Sequence, residues 1–185
     1  MNLVARVKGI LLNPRQEWAV IDAEPFNQTA ILTGYVLPLA AIGPIASFIG
    51  WTVFGLGFGI RLGPAAALTG AITSYILAIV GVFVLAWIAN ALAPTFGGQQ
   101  NFGQAFKLAA YCSTAVWVGG ILGIIPALGL IGSLIGLYSI YLLYLGIPVL
   151  MKSPPDKTIT YMVALVVVMI VIFWLAAALT MRMRY

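Results

Sequence analysis

The chain has 185 residues, of which 63% are hydrophobic and only 7% charged. Soluble domains run nearer half apolar and a quarter charged, so this composition excludes a soluble fold and makes the bilayer the solvent for most of the surface. The net charge of +5 sits in connections and termini, where membrane orientation and anionic lipid headgroups account for it and nucleic acid does not.

Residues 1–28 hold six charged side chains and no span. Leu3, Val4, Val7, Ile10 and Leu11 recur at the spacing that puts apolar residues on one helical face. Arg6 and Lys8 fall on the flanks of that face, where their stems can snorkel toward headgroups. The segment therefore reads as an in-plane, amphipathic interfacial helix. The apolar run Gly9 to Leu12 is too short for the core of a secretory signal. Asn13-Pro14, with Gln16 at capping-box spacing, restarts the chain as a second short helix carrying Arg15, Glu17 and Trp18. Arg15 and Trp18 join Arg6 and Lys8 as interfacial candidates.

The remainder, 29–185, divides into five transmembrane helices over about 30–53, 64–92, 108–126, 130–150 and 159–181, since a span needs about 20 residues. The fold class is all-α and polytopic. In the first span, Pro38, Gly43 and Pro44 should kink or unwind the helix. Gly55, Gly57, Gly59 and Gly63 then make a loop or a close-packed end, closed by Arg61. The second span places Ala66, Gly70 and Ser74 at four-residue intervals, which lets helix backbones approach. Asn90 near its end is a polar cap or a functional amide. Phe96 to Lys107 is a connection and helix entry: Gly97-Gly98 breaks the chain, Asn101 caps the next helix, and Phe102, Phe106 and the stem of Lys107 lie at the interface. Spans three and four turn at Pro126 to Gly129, and Gly119/Gly123 and Gly132/Gly136 predict a close hairpin between them. The last span, rich in Val, Ile and Leu, belongs on the lipid-facing periphery.

An odd number of spans puts the termini on opposite sides. One side then holds Arg6, Lys8, Arg15, Lys107, Lys152 and Lys157, and the other Arg61, Arg182 and Arg184. The larger basic set is expected in the cytoplasm, giving N-in, C-out.

Four stretches carry a resemblance. Asn13-Pro14-Arg15-Gln16-Glu17-Trp18 is similar to the "NPxxxW" opening of bacterial Yip-domain membrane proteins, and Phe96-Gly97-Gly98 to their "FGG" loop. Ala110 to Trp117 resembles the family's "AYSxTPxW" element, with Cys112 in place of serine and Ala115 in place of proline. Tyr138 to Pro148 resembles its "YxxYLLYxGxP" element. The order and spacing agree along most of the chain. The resemblance implies five spans with a cytoplasmic N-terminus, and for a bacterial chain the cytoplasmic (inner) membrane. Eukaryotic members are linked to Rab GTPases, vesicle trafficking and organelle membrane shape, a label that transfers poorly to a bacterial chain.

No ionisable Asp, Glu, Lys or Arg lies inside any predicted span, which argues against an ion-coupled transporter. Tyr138, Tyr141 and Tyr144 form a stripe on span four. With Tyr111, Ser113, Thr114 and Trp117 on span three they either line a polar binding cleft or act as interhelical glue and an aromatic belt. Glu17, Asp22 and Glu24 can form an acid/base or metal cluster, or simply complement Arg15 and a helix N-terminus. Cys112 is alone, so no intrachain disulfide forms, and it has no visible base. Histidine is absent. Scattered Met151, Met162, Met169, Met181 and Met183 read as filler. The expectation is a non-enzymatic protein without cofactor or metal. It organises or scaffolds the membrane and self-associates through its glycine faces, with lipid as its medium. Alternatives are a small-solute, ion or lipid transporter using the span-three/four cleft, and an adaptor recruiting a cytoplasmic protein partner through residues 1–28.

Overall fold

The computed structural model describes residues 2–55 and 63–182, with side chains to Trp174 apart from Pro126 and Phe173. Gly57, Gly59, Arg61, Met183 and Arg184, on which part of the sequence reading falls, lie outside the described residues. Two short helices, α1 (Leu3–Leu12) and α2 (Pro14–Ala23), precede five apolar helical spans. The spans cover Gln28–Phe54, Pro64–Phe96, Phe102–Ile124, Gly129–Leu150 and Pro155–Arg182. The fold is all-helical, as the composition requires.

Span one bends where its prolines forbid regular bonding. Pro38 has no N–H to give, and the turn before it widens into a π-helix at Leu32–Val36, with the Leu37 N–H reaching Leu32 O. A turn at Ala41 separates Leu37–Ala40 from Ile42–Ile49, and a second π-helix over Gly50–Phe54 ends the span. Span three is also interrupted. It breaks at Ser113, although Ala115 supplies no proline. The Ser113 hydroxyl donates to Ala109 O at 2.8 Å and Thr114 Oγ1 donates to Tyr111 O at 2.6 Å. Hydroxyls bonding back to the preceding turn compete with the ladder and bend a helix.

The glycines bring backbones together inside the chain. A Cβ on Gly119 would lie 3.0 Å from Ile135 Cγ2 and 3.2 Å from Gly132 O, and one on Gly136 would lie 3.3 Å from Val116 Cγ2. This is the predicted hairpin of spans three and four. Gly123 faces elsewhere: its Cβ would meet Ser47 Oγ of span one at 2.9 Å, while Gly120 abuts Gly43. On span two the buried register is Ala67 and Ala71, with Ala66 and Ser74 exposed, and Gly70 accommodates the Trp51 ring. Of the expected Ala66/Gly70/Ser74 face only Gly70 makes a close contact, and the buried row lies one position further on. Asn90 caps nothing: the helix runs on to Leu92, and its Oδ1 is buried without a partner. Span five shows Ile159, Val163, Val167 and Trp174 outward. It is pinned to span two where Tyr161 donates to Ala89 O and stacks on Phe96 at 4.9 Å.

Because Gly119 and Gly132 are filled from within the chain, enlarging either strains the fold and leaves chain-to-chain association alone. Gly119→Leu is expected to cost about 1–3 kcal/mol of stability, read as a lower unfolding temperature in detergent, with the particle mass unchanged.

Candidate functional site

The N-terminal helices do not lie outside the bundle. They form a hairpin that docks between spans three and four at one end, and its inner face buries Ile10, Trp18 and Ile21 completely. Asn13 makes the corner: its N–H bonds to Gly9 O, its carbonyl accepts from Glu17 N–H, and Pro14 fits the first helical position. The expected capping box is not formed, since the Asn13 side chain makes no cap bond. Asn101 does cap span three, accepting from Gln104 N–H at 3.1 Å.

Arg6 and Trp18 correct the interfacial reading most clearly. Arg6 is 7% exposed and Trp18 not at all. The Arg6 guanidinium donates to Glu17 Oε1 at 2.5 Å and to Glu24 Oε1, and lies 5.6 Å from the centre of the Tyr111 ring on span three. Two carboxylates and an aromatic face replace the water that an arginine loses on burial. Gly9 makes this possible, because a side chain there would occupy the space of the Glu17 carboxylate. Burial works to lower the Arg6 pKa, but the bond and charge of Glu24 and the charge of Glu17 outweigh it and hold the group above the ordinary arginine range. A raised cation pKa gives stability that is lost only as pH rises through the folded value. Arg6 thus stays charged throughout the working pH range.

Other charges complete the dock. Lys107, expected at the interface, is 2% exposed and donates to Ile21 O at 2.9 Å and Glu24 O at 2.5 Å. Asp22 accepts from Lys152 at 2.6 Å and from Gln104 Nε2 at 2.9 Å. The three carboxylates therefore serve Arg6, Lys152 and Gln104, and Arg15 forms no ion pair among the described residues. Lys8 and Arg15 are exposed.

Beneath the ion cluster the polar groups are closed off. Tyr35 and Thr114 share a hydrogen bond of 2.7 Å, the Tyr35 and Tyr111 rings meet edge-on at 4.7 Å, and all three side chains are buried. Tyr138 turns away and donates to Leu11 O of α1 at 3.0 Å. Tyr141 and Tyr144 are 41% and 38% exposed. The tyrosines of spans three and four consequently do not gather into one cleft, because the hairpin occupies the space between them at this end. A cavity of about 490 Å³ runs between spans one, two, three and five and includes Ser113 and Trp117. A neighbouring one of about 270 Å³, between spans three, four and five, shares Ser113 with it and adds Ser139.

Three of the four motif stretches meet at the dock, and the Phe96–Gly98 loop packs on the end of span four and the start of span five. Trp18 packs flat on Gly146, where a Cβ would lie 2.9 Å from Cζ2 and 2.5 Å from Leu108 Cδ1. A Cβ on Gly98 would lie 2.7 Å from Met151 O, and Gln99 N–H bonds to that same carbonyl at 2.8 Å. Tyr111 and Tyr138 each contact α1. Sequence reasoning missed Tyr35, Gly9 and the inward turn of Arg6. The signal for the last was the crowding of three acids and three bases into the first 24 residues of a chain otherwise nearly free of charge.

Five apolar spans clasping an ion-locked helical hairpin define a polytopic integral membrane protein. The chain belongs to the Yip1 domain family, whose profile matches residues 8–176. It is similar to inner membrane protein YohC of Escherichia coli K12 and to the same-named protein of Escherichia coli O6:H1. Each is 26% identical over 184 residues, covering 96% of this chain and 94% of the relative. By that homology the chain is an integral inner membrane protein. No solved structure matches it.

Removing Arg6 leaves the part-buried Glu17 and Glu24 carboxylates without their cation. Arg6→Met is expected to cost about 1.5–3 kcal/mol, the scale for hydrogen bonds to a charged group whose partners still reach water, measured by denaturant unfolding in detergent. Gly9→Ala, which only crowds Glu17, should act in the same direction with a smaller loss.

Proposed function

We propose that this chain is a non-enzymatic membrane-organising protein. In this reading the docked hairpin makes its cross-section larger at one end of the bundle than at the other. The observation that carries the reading is the burial of Arg6 between Glu17 and Glu24. It makes α1 and α2 a fixed part of the membrane domain, so seven helices share one end and five the other. An asymmetric inclusion presses lipids apart more in one leaflet, as an inserted amphipathic helix does. The close packing of Tyr35, Tyr111 and Thr114 supports this role over solute passage between spans three and four. The inward commitment of the acidic residues likewise weighs against an adaptor that offers residues 1–28 to a partner. Self-association, if it accompanies the role, uses the lipid-facing surfaces, because the glycine faces are filled within the chain.

Purified chain is reconstituted at rising protein-to-lipid ratios, and vesicle diameter is read by cryo-electron microscopy. Wild type should shift the population to smaller or tubulated vesicles, and Arg6→Met should weaken the shift. Unchanged diameters at every ratio would sink the reading. A second reading, lipid translocation, is favoured by one observation: the adjoining apolar cavities spotted with Ser47, Ser74, Ser113 and Ser139. Lipid scrambling in the same vesicles, reduced by Ser113→Val, would select it.

We further propose that the hairpin end faces the cytoplasm. Lys107 and Lys152 join Arg6 at that end, and basic residues are retained on the cytoplasmic side. A cysteine at exposed Lys8 should react with an impermeant maleimide only in inside-out vesicles. Labelling in right-side-out vesicles alone would reverse the orientation.

A further inference from the structure

Arg15 is the cation that the dock leaves over. Its neighbours Glu17, Asp22 and Glu24 are committed to Arg6, Lys152 and Gln104, so no carboxylate among the described residues neutralises it. It lines a cavity of about 310 Å³ where α2, the end of span four and the start of span five converge. Tyr144, Pro148 and Val149 come from span four, and Pro155 and Thr158 from the first turn of span five. Apart from Arg15, Tyr144 and Thr158 the walls are apolar. Thr158 spends its hydroxyl on Pro154 O at 3.1 Å, which leaves the guanidinium and the Tyr144 phenol as the outward-reaching donors.

Two features of this cavity agree on charge. An arginine fork matches phosphate oxygens in a paired geometry. Span five is 28 residues long and begins at the cavity, so the positive end of its dipole adds to the same field. Lys157 and Asp156, both exposed on that turn, bring it no net charge. The apolar floor is wasted on a free anion but suits a ligand with a hydrocarbon body. Exposed Tyr141 of span four and exposed Ile159 and Val163 of span five continue along the spans from the cavity, offering a surface for acyl chains.

We propose that this cavity is a binding site for an anionic phospholipid of the bilayer. Arg15 holds the phosphate, Tyr144 donates to it, and Pro148 and Val149 receive the glycerol and upper acyl region. Because Arg15 rides on α2 while the floor belongs to spans four and five, the lipid clamps the hairpin to the bundle from outside. The site therefore stands whether or not the protein bends membranes.

The test is native mass spectrometry of the purified full-length chain, titrated with phosphatidylglycerol or phosphatidylcholine. Wild type should retain phosphatidylglycerol in preference. Arg15→Gln should lower retention about tenfold, the scale for one charge-assisted hydrogen bond. Val149→Trp, which fills the cavity and keeps the charge, should lower it as well, and Arg15→Lys should restore part of it. Lys8→Gln, at another exposed cation, should change nothing. Retention by Arg15→Gln equal to wild type, equal retention of the two lipids, or an equal fall in Lys8→Gln would each overturn the proposal. Displacement of bound lipid by glycerol phosphate alone would also overturn it, by making the site one for a soluble anion. Thermal unfolding without added lipid should be the same for wild type and Arg15→Gln, since Arg15 makes no hydrogen bond or ion pair among the described residues.

Discussion

A buried arginine has to be answered by opposite charge, and much of this architecture follows from how Arg6 is answered. Its guanidinium draws Glu17 from the next helix and Glu24 from the loop beyond, which closes α1 on α2. The Tyr111 ring gives the same group a face on span three, and Lys107 fastens the carbonyls of Ile21, in the last turn of α2, and of Glu24 just beyond it. Charges that water would otherwise hold apart are thereby made into the joint between a polar hairpin and an apolar bundle. An isolated hairpin of two ten-residue helices would be marginal in water, so its order comes from this joint and from Trp18 seated on Gly146.

The dock also decides what the interior can do. By filling the mouth between spans three and four, α1 and α2 leave Tyr35 and Thr114 to share a hydrogen bond, with the Tyr111 ring packed edge-on against Tyr35 in a closed column. The open volume is displaced to the other face of span three, against spans one, two and five, where the lining is apolar and faces lipid. On the proposed reading, such a protein would act on its surroundings through its shape and its lipid contacts. That is why a role in arranging the membrane fits it better than a polar conduit.

Local chemistry can replace the residue that a family pattern leads one to expect. Span three bends without the proline at Ala115, because Ser113 and Thr114 turn their hydroxyls onto the preceding carbonyls. Similarly, the glycines spaced for helix association are satisfied by the chain's own neighbouring spans, so their presence says nothing about a second copy.

Hydropathy, helix breakers and the order of four short motifs were enough to read five spans, the tight turn between spans three and four, the Asn101 cap and the family. Each of these depends on runs of neighbouring residues, and in a bilayer every backbone group must bond within its own helix. The inward turn of Arg6, the burial of Lys107 and Trp18, and the separation of Tyr111 from Tyr138 were decided only by tertiary structure. They depend on contacts between residues about ten to more than a hundred positions apart, such as Tyr138 with Leu11. An amphipathic segment in isolation has no way to record whether its charged flank will meet water, headgroups or a carboxylate brought round by the fold.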